Sequence, residues 1–73
     1  MKVTFQYYSD CEDGSENFRF NSVEKAKEKF SELSEIIREQ FDNCPDAEVV
    51  DEPDFFGIID HSNGDWAKVT ISL

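Results

Sequence analysis

The chain has 73 residues and a formal net charge of −10 at pH 7, from 17 acidic and seven basic residues. This charge disfavours direct contact with nucleic acid or anionic lipid, and it attracts basic protein surfaces. Hydrophobic residues make up 38% of the chain and include seven Phe, two Tyr and one Trp, which excludes a disordered composition. We therefore expect residues 1–73 to form a single small domain around one core.

The N-terminal part of the chain predicts two strands. Residues 2–9 alternate apolar and polar side chains, which is typical of a strand with one buried face. Residues 10–17 are polar and predict a loop. Residues 18–20 predict a short second strand that turns both of its Phe side chains inward.

The hydrophobic period then changes from two residues to 3.6, which predicts one long helix over residues 22–43. Asn21 or Ser22 is suited to cap its first turn, and Pro45 cannot continue it because proline lacks the backbone N–H. The apolar stripe of this helix comprises Val23, Ala26, Phe30, Leu33, Ile37, Phe41 and Cys44, widened by Ile36.

Three further strands are predicted after the helix. Residues 47–52 form the third strand, and residues 55–62 and 66–73 form a hairpin around Asn63-Gly64, a strong turn signal. The segment 55–59 is apolar on both faces, which predicts a central strand or a second face in contact with something. The predicted fold is α+β: an antiparallel sheet of four to five strands with one long helix packed on one face, in the order β-β-α-β-β-β.

Acidic side chains follow the predicted helix at intervals of three and four residues, opposite its apolar stripe. They recur about every 5 Å along the axis, a density of the same order as one phosphate per ~3.4 Å on a strand of B-DNA. Like charges at this spacing weaken a helix, and pairs such as Glu35 with Arg38 return a similar amount of stability. Glu39 and Asp42 also lie at the unfavourable end of the helix dipole, and a local penalty of this kind favours a binding function. This acidic ridge comprises Glu24, Glu28, Glu32, Glu35, Glu39 and Asp42.

The acidic segment extends beyond the helix, because no basic residue occurs between Arg38 and Lys68. We expect the ridge and this segment to form one continuous acidic band, strongest over residues 32–54. Tyr8 and Trp66 are predicted on the uncovered face of the sheet, where aromatic side chains either anchor an interface or pack at the sheet edge. The acids of the segment that join the predicted partner-binding site are Asp46, Glu48, Asp51, Glu52 and Asp54.

Motifs for catalysis, phosphate binding and nucleotide binding are absent from the sequence, so we expect no enzyme activity and no cofactor. Cys11, Cys44 and His61 are too few to ligate zinc, and we expect no metal site. His61 is predicted to be a turn residue. The sequence has neither a secretory signal nor a membrane span, which predicts a soluble cytoplasmic protein with both cysteines as free thiols.

In size, charge and the presence of the acidic ridge, the chain resembles the small acidic α+β inhibitors encoded by bacteriophages and mobile elements, including DNA-mimic and anti-CRISPR proteins. The resemblance implies that the protein occupies the basic channel of a nucleic-acid-binding protein or effector complex in a host cytoplasm. Its carboxylates would pair with the Lys and Arg side chains that otherwise hold phosphates.

The sequence is also compatible with other functions. The acidic surface is equally suited to keeping a small protein soluble. A metal-responsive acidic module is a further, less favoured alternative. A second class of function is an antitoxin or immunity-type partner of a basic toxin. A third is a plain structural homodimer, which we expect to associate through Phe56 and Ile58.

Overall fold

The structure, a computed structural model, describes residues 1–73 as five strands and one helix. The sheet is antiparallel throughout, with strand order β2-β1-β5-β4-β3, and the helix lies across β5, β1 and β4. This confirms the predicted α+β class and the predicted order of elements. The strands are β1 Lys2–Tyr8, β2 Asp13–Arg19, β3 Ala47–Glu52, β4 Phe55–Asp60 and β5 Trp66–Ser72, and the helix α1 is Val23–Gln40.

The core lies between α1 and one face of the sheet, because the apolar stripe of the helix meets the alternate apolar residues of the three inner strands. Every buried side-chain N or O atom has a hydrogen-bond partner. The buried apolar residues are Val3 on β1, Ala26, Leu33 and Ile37 on α1, Phe56 and Ile58 on β4, and Ala67, Val69 and Ile71 on β5.

Strand β2 is longer than the sequence predicts, and most of the predicted loop belongs to it. All seven of its residues pair with β1, from Lys2 opposite Arg19 to Tyr8 opposite Asp13. The ring of Tyr7 lies over Gly14, where a Cβ would come within 2.5 Å of the tyrosine Oη. The strand is therefore held by its ladder with β1 and by cross-strand contacts, and not by an alternating hydrophobic pattern of its own.

The helix is shorter than predicted. It begins after Ser22, whose Oγ accepts a hydrogen bond from the backbone N–H of Lys25 (3.4 Å), so Ser22 and not Asn21 is the N-cap. It ends at Gln40, three residues before the predicted end, because the following N–H groups turn back to nearer carbonyls, as Asp42 N does to Glu39 O (3.4 Å). The tightened turn precedes Pro45, which cannot join a helix.

Strand β4 is an inner strand, between β3 and β5, as its apolar sequence predicts. Its alternate residues Phe56 and Ile58 face the helix and are buried. Phe55 and Ile59 face the other side of the sheet, which no element covers and which we call the open face. The loop after β4 turns at Gly64, whose φ of 81° lies in the left-handed region that glycine adopts without strain.

Candidate partner-binding surfaces

The acidic ridge occupies the outer surface of α1, opposite the sheet, and all six of its residues are exposed. Five lie on the helix and the sixth, Asp42, lies in the turn that follows. Within the ridge only Glu32 forms a salt bridge, with Lys29 at 3.4 Å. Lys27 borders the upstream half of the ridge, as its position in the sequence predicts. In the downstream half, Glu35, Glu39 and Asp42 form no salt bridge.

The side chain of Arg38 points away from the acidic ridge and contacts the sheet. Its Nη2 donates to Asp51 Oδ2 on β3 at 2.9 Å, and its guanidinium lies 4.5 Å from the centre of the Phe56 ring. The expected pair with Glu35 does not form. Asp51 is therefore the one predicted partner-binding acid that an arginine of the same chain already neutralises.

The acids of β3 divide between two sides of the sheet. The register turns Asp51 to the helix side, because it lies opposite Phe56, and turns Glu48 and Glu52 to the open face, opposite Ile59 and Phe55. Asp46 and Asp54 are exposed in the loops at the two ends of β3. The expected single band over residues 32–54 is therefore wrong: the ridge faces one side of the molecule, and two of the β3 acids face the other.

Tyr8 and Trp66 lie side by side on the open face, as predicted. They are paired across β1 and β5, and their rings stack with centroids 6.3 Å apart. Tyr8 is exposed and Trp66 is half-buried, with Lys68 Nζ 5.4 Å from the centre of the indole ring. The prediction of self-association through Phe56 and Ile58 is wrong, because both side chains are buried under the helix.

A groove of about 410 Å³ opens where the acidic ridge ends, between the C-terminal end of α1 and the sheet. Aromatic side chains line it, among them Phe5, Tyr7 and Phe41, and carboxylates accompany them. None of these carboxylates forms a salt bridge. An aromatic surface with carboxylates beside it suits the side chain of an arginine or lysine. The acids of the groove are Glu12, Glu16, Asp60 and Asp65.

Asp60 is the one buried acid, with 4% of its surface exposed, and it lies deep in this groove. Its Oδ1 accepts hydrogen bonds from Ser62 Oγ (2.6 Å) and Ser62 N (2.9 Å), which hold the pKa of Asp60 below its ordinary value although burial opposes the shift. A hydrogen bond to Asp60, together with burial, raises the pKa of the Cys44 thiol. Both Cys44 and Cys11 are free, as predicted.

All four groove carboxylates, Glu12, Glu16, Asp60 and Asp65, are absent from the predicted site. Glu12 and Glu16 lie in the segment predicted as a loop, and only the pairing of β2 with β1 brings Glu16 to the helix side, opposite Phe5. No signal local to the sequence indicates this convergence. His61 lies in the turn after β4, as predicted, with its Nε2 2.9 Å from Glu48 Oε1.

No three His, Cys, Asp or Glu side chains converge on a point where they could hold a metal ion. The helix α1 lacks the combination of length and apolar character that a membrane-spanning helix requires. Comparisons of the chain with protein-family models, with curated proteins and with solved structures find no match.

Proposed function

We propose that the protein captures a basic nucleic-acid-binding protein or complex through the acidic ridge and blocks its nucleic-acid site. The observation that carries the proposal is the row of exposed carboxylates on the outer surface of α1, of which only Glu32 forms a salt bridge within the chain. From Glu24 to Glu39 the row covers about 22 Å of helix axis, the length of about six base-pair steps of duplex DNA.

The ridge supplies long-range attraction and the groove at its end supplies a place of contact. Clustered charge of one sign speeds the encounter with an oppositely charged surface, and the effect weakens as salt screens it. Exposed carboxylates give little binding energy one at a time. An arginine or lysine enclosed against Tyr7 and Phe41 would lose more water, which strengthens its pairing with Glu12 or Glu16.

The test is charge reversal of the downstream ridge. The triple variant Glu32→Lys, Glu35→Lys, Glu39→Lys should fold, because all three side chains are exposed, and should lose capture of the basic partner. Immobilised protein is exposed to nucleic-acid-binding proteins from a lysate at about 50 mM and about 0.5 M salt, and bound proteins are challenged with a DNA or RNA duplex. Captured proteins should be released by the salt and by the duplex.

A matched triple variant separates the ridge from total charge. Asp10→Lys, Asp46→Lys, Asp54→Lys changes the net charge by the same amount at exposed loop positions outside the helix, and it includes the two predicted site acids, Asp46 and Asp54, that lie off the ridge. It should retain most of the capture that the ridge variant loses. Equal binding by the wild type and the ridge variant, or capture that neither salt nor duplex weakens, contradicts the proposal and leaves the ridge as a solubility surface.

A further inference from the structure

The open face is the one large surface of this acidic molecule that carries no net charge. The strand registers turn three of the seven basic residues and only three of the 17 acids to it. The charge of −10 therefore belongs to the helix side and the loops. The basic residues of the open face are Lys2, Arg19 and Lys68, and its acids are Asp13, Glu48 and Glu52.

Apolar and aromatic side chains occupy the part of this face formed by β3, β4 and β5. Val50 is 40% exposed, and the ring of Phe55 lies across Gly57, where a Cβ would come 3.0 Å from the ring. Ile59 continues the patch to the stacked rings of Trp66 and Tyr8. A shallow depression of about 220 Å³ runs between these side chains. Apolar surface grouped in this way marks an interface more often than scattered exposed residues do.

The charges at the β2 edge of the open face are arranged so that two copies of this edge complement each other. Lys2 on β1 and Arg19 on β2 lie at one end of the strands, and Asp13 lies at the other end of β2. The two acids of β3, Glu48 and Glu52, lie on the opposite edge of the sheet, one near each end. A two-fold axis across the strands places β2 of one copy over β2 of the second, with Arg19 opposite Asp13 at both ends of that edge. The same axis places β3 over β3, where Glu48 and Glu52 have no basic residue opposite them, so the charge complementarity is confined to the β2 edge. Neither Arg19 nor Asp13 has a salt-bridge partner within the chain.

The size of the face and the position of the charge both suit a second copy. Five strands of up to seven residues give a sheet of about 24 by 23 Å, a footprint of about 550 Å² per partner, which reaches the ~1,000 Å² in total that a small specific interface buries. With layers stacked about 10 Å apart, the two helices of such a dimer lie about 30 Å apart. That distance exceeds the Debye length of about 8 Å at 0.15 M salt, so the two acidic ridges hardly repel each other.

We propose that two copies of this chain associate through their open faces, with strands antiparallel across the interface and both acidic ridges directed outward. A basic partner is not expected on this face, because it has no net charge to attract one. Association through the helix side would bring the two acidic ridges together. The inference stands independently of the function proposed for the ridge.

The first test compares two substitutions of equal charge and equal exposure. Val50→Glu adds a carboxylate to the open face, close to Glu52 of the second copy, whereas Ile36→Glu adds one on the helix at 39% exposure. Sedimentation equilibrium at about 100 µM protein and 0.15 M salt should give twice 8.5 kDa for the wild type and for Ile36→Glu. Val50→Glu should raise the dissociation constant of the dimer at least about tenfold.

The second test exchanges charges on the exposed edge strand β2, where substitutions should leave the fold intact. Arg19→Asp places an acid opposite Asp13 and should weaken the dimer, and adding Asp13→Arg should restore it. Wild-type protein that stays monomeric up to about 1 mM overturns the proposal, whether its open face is then bare or occupied by a different protein. Equal weakening by Val50→Glu and Ile36→Glu, or a failure of the double variant to recover, also overturns it.

Discussion

At the scale of single residues, Asp60 shows how the fold keeps a buried acid ionised. Its carboxylate is buried beside the helix end, and Ser62 supplies both a hydroxyl and a backbone N–H to the same oxygen. Hydrogen bonds that favour the charged form lower the pKa, and here they outweigh the cost of burial. The carboxylate therefore holds the start of the β4–β5 loop most strongly while it is ionised.

We predict that Asp60→Asn destabilises the protein at pH 7 and that its effect narrows toward pH 3. Because the native pKa of Asp60 is lowered, the ionised carboxylate stabilises the fold above the unfolded pKa of about 3.9. That contribution is lost as the pH falls through the native pKa. Urea unfolding at pH 7, 5 and 3 measures it, with Asp10→Asn as a control in an exposed loop. An equal loss of stability at all three pH values contradicts the prediction.

At the scale of elements, one arginine ties the helix to the edge of the sheet. Arg38 bonds Asp51 and covers the ring of Phe56, which belongs to the core. The ion pair is exposed, with 46% of the arginine and 62% of the aspartate side chain accessible, so it contributes little by itself. The guanidinium stacked on the buried ring and the stem that covers it contribute more.

We predict that Arg38→Ala lowers the free energy of unfolding by about 1 kcal/mol, and that Asp51→Asn changes it by less than about 0.5 kcal/mol. Asp51→Asn also removes one charge from a strongly acidic chain, which offsets the lost ion pair. Lys25→Ala is the matched control, because Lys25 is exposed and forms no salt bridge. Urea unfolding compares the three variants. If Asp51→Asn costs as much as Arg38→Ala, the ion pair and not the stacking holds the helix.

The elements that sequence predicts well are those whose hydrophobic period is complete. The helix, β3 and the β4–β5 hairpin follow from local patterns and turn residues, and β3 is observed with the predicted bounds, residues 47–52. Strand β2 could not be predicted in full, because within Asp13–Arg19 only Phe18 is strongly apolar. Its structure depends on pairing with β1, a tertiary effect that overrides local propensity. The early end of the helix likewise depends on turn hydrogen bonds.

At the scale of the whole molecule, the net charge is −10, and the chain forms only three salt bridges, one of them to a histidine. The resulting self-repulsion destabilises the compact state, and dissolved salt screens it. The fold is thus held mainly by the small core between α1 and the sheet.

We predict that the free energy of unfolding rises as NaCl increases from about 10 mM to about 0.5 M, because the Debye length falls from about 30 Å to below 10 Å. The variant Glu32→Gln, Glu35→Gln, Glu39→Gln carries three fewer negative charges. It should be more stable than the wild type at low salt and should gain less from added salt. Thermal unfolding across the salt series measures both effects. A wild-type stability that is flat or falling with salt contradicts the prediction.

The candidate site was predictable where it lies on one element and not where it joins several. The acidic ridge follows from the helical period alone, and its exposure is as expected. The division of the β3 acids needs the register with β4, which turns Asp51 to the helix and Glu48 to the open face. The groove needs β2 beside β1 to present Glu16. Sequence spacing cannot supply such contacts between strands.

The strand order places β1 and β5, the first and last strands, side by side in the middle of the sheet, with Lys2 opposite Ser72. Pairing β1 with β5 therefore closes a loop of nearly the whole chain. The conformational entropy of that loop must be lost before the core forms. The helix and the β3–β4–β5 meander can assemble from local contacts, whereas the β1–β2 hairpin must wait for β5 to dock. Such non-local pairing slows folding relative to helical domains of similar size.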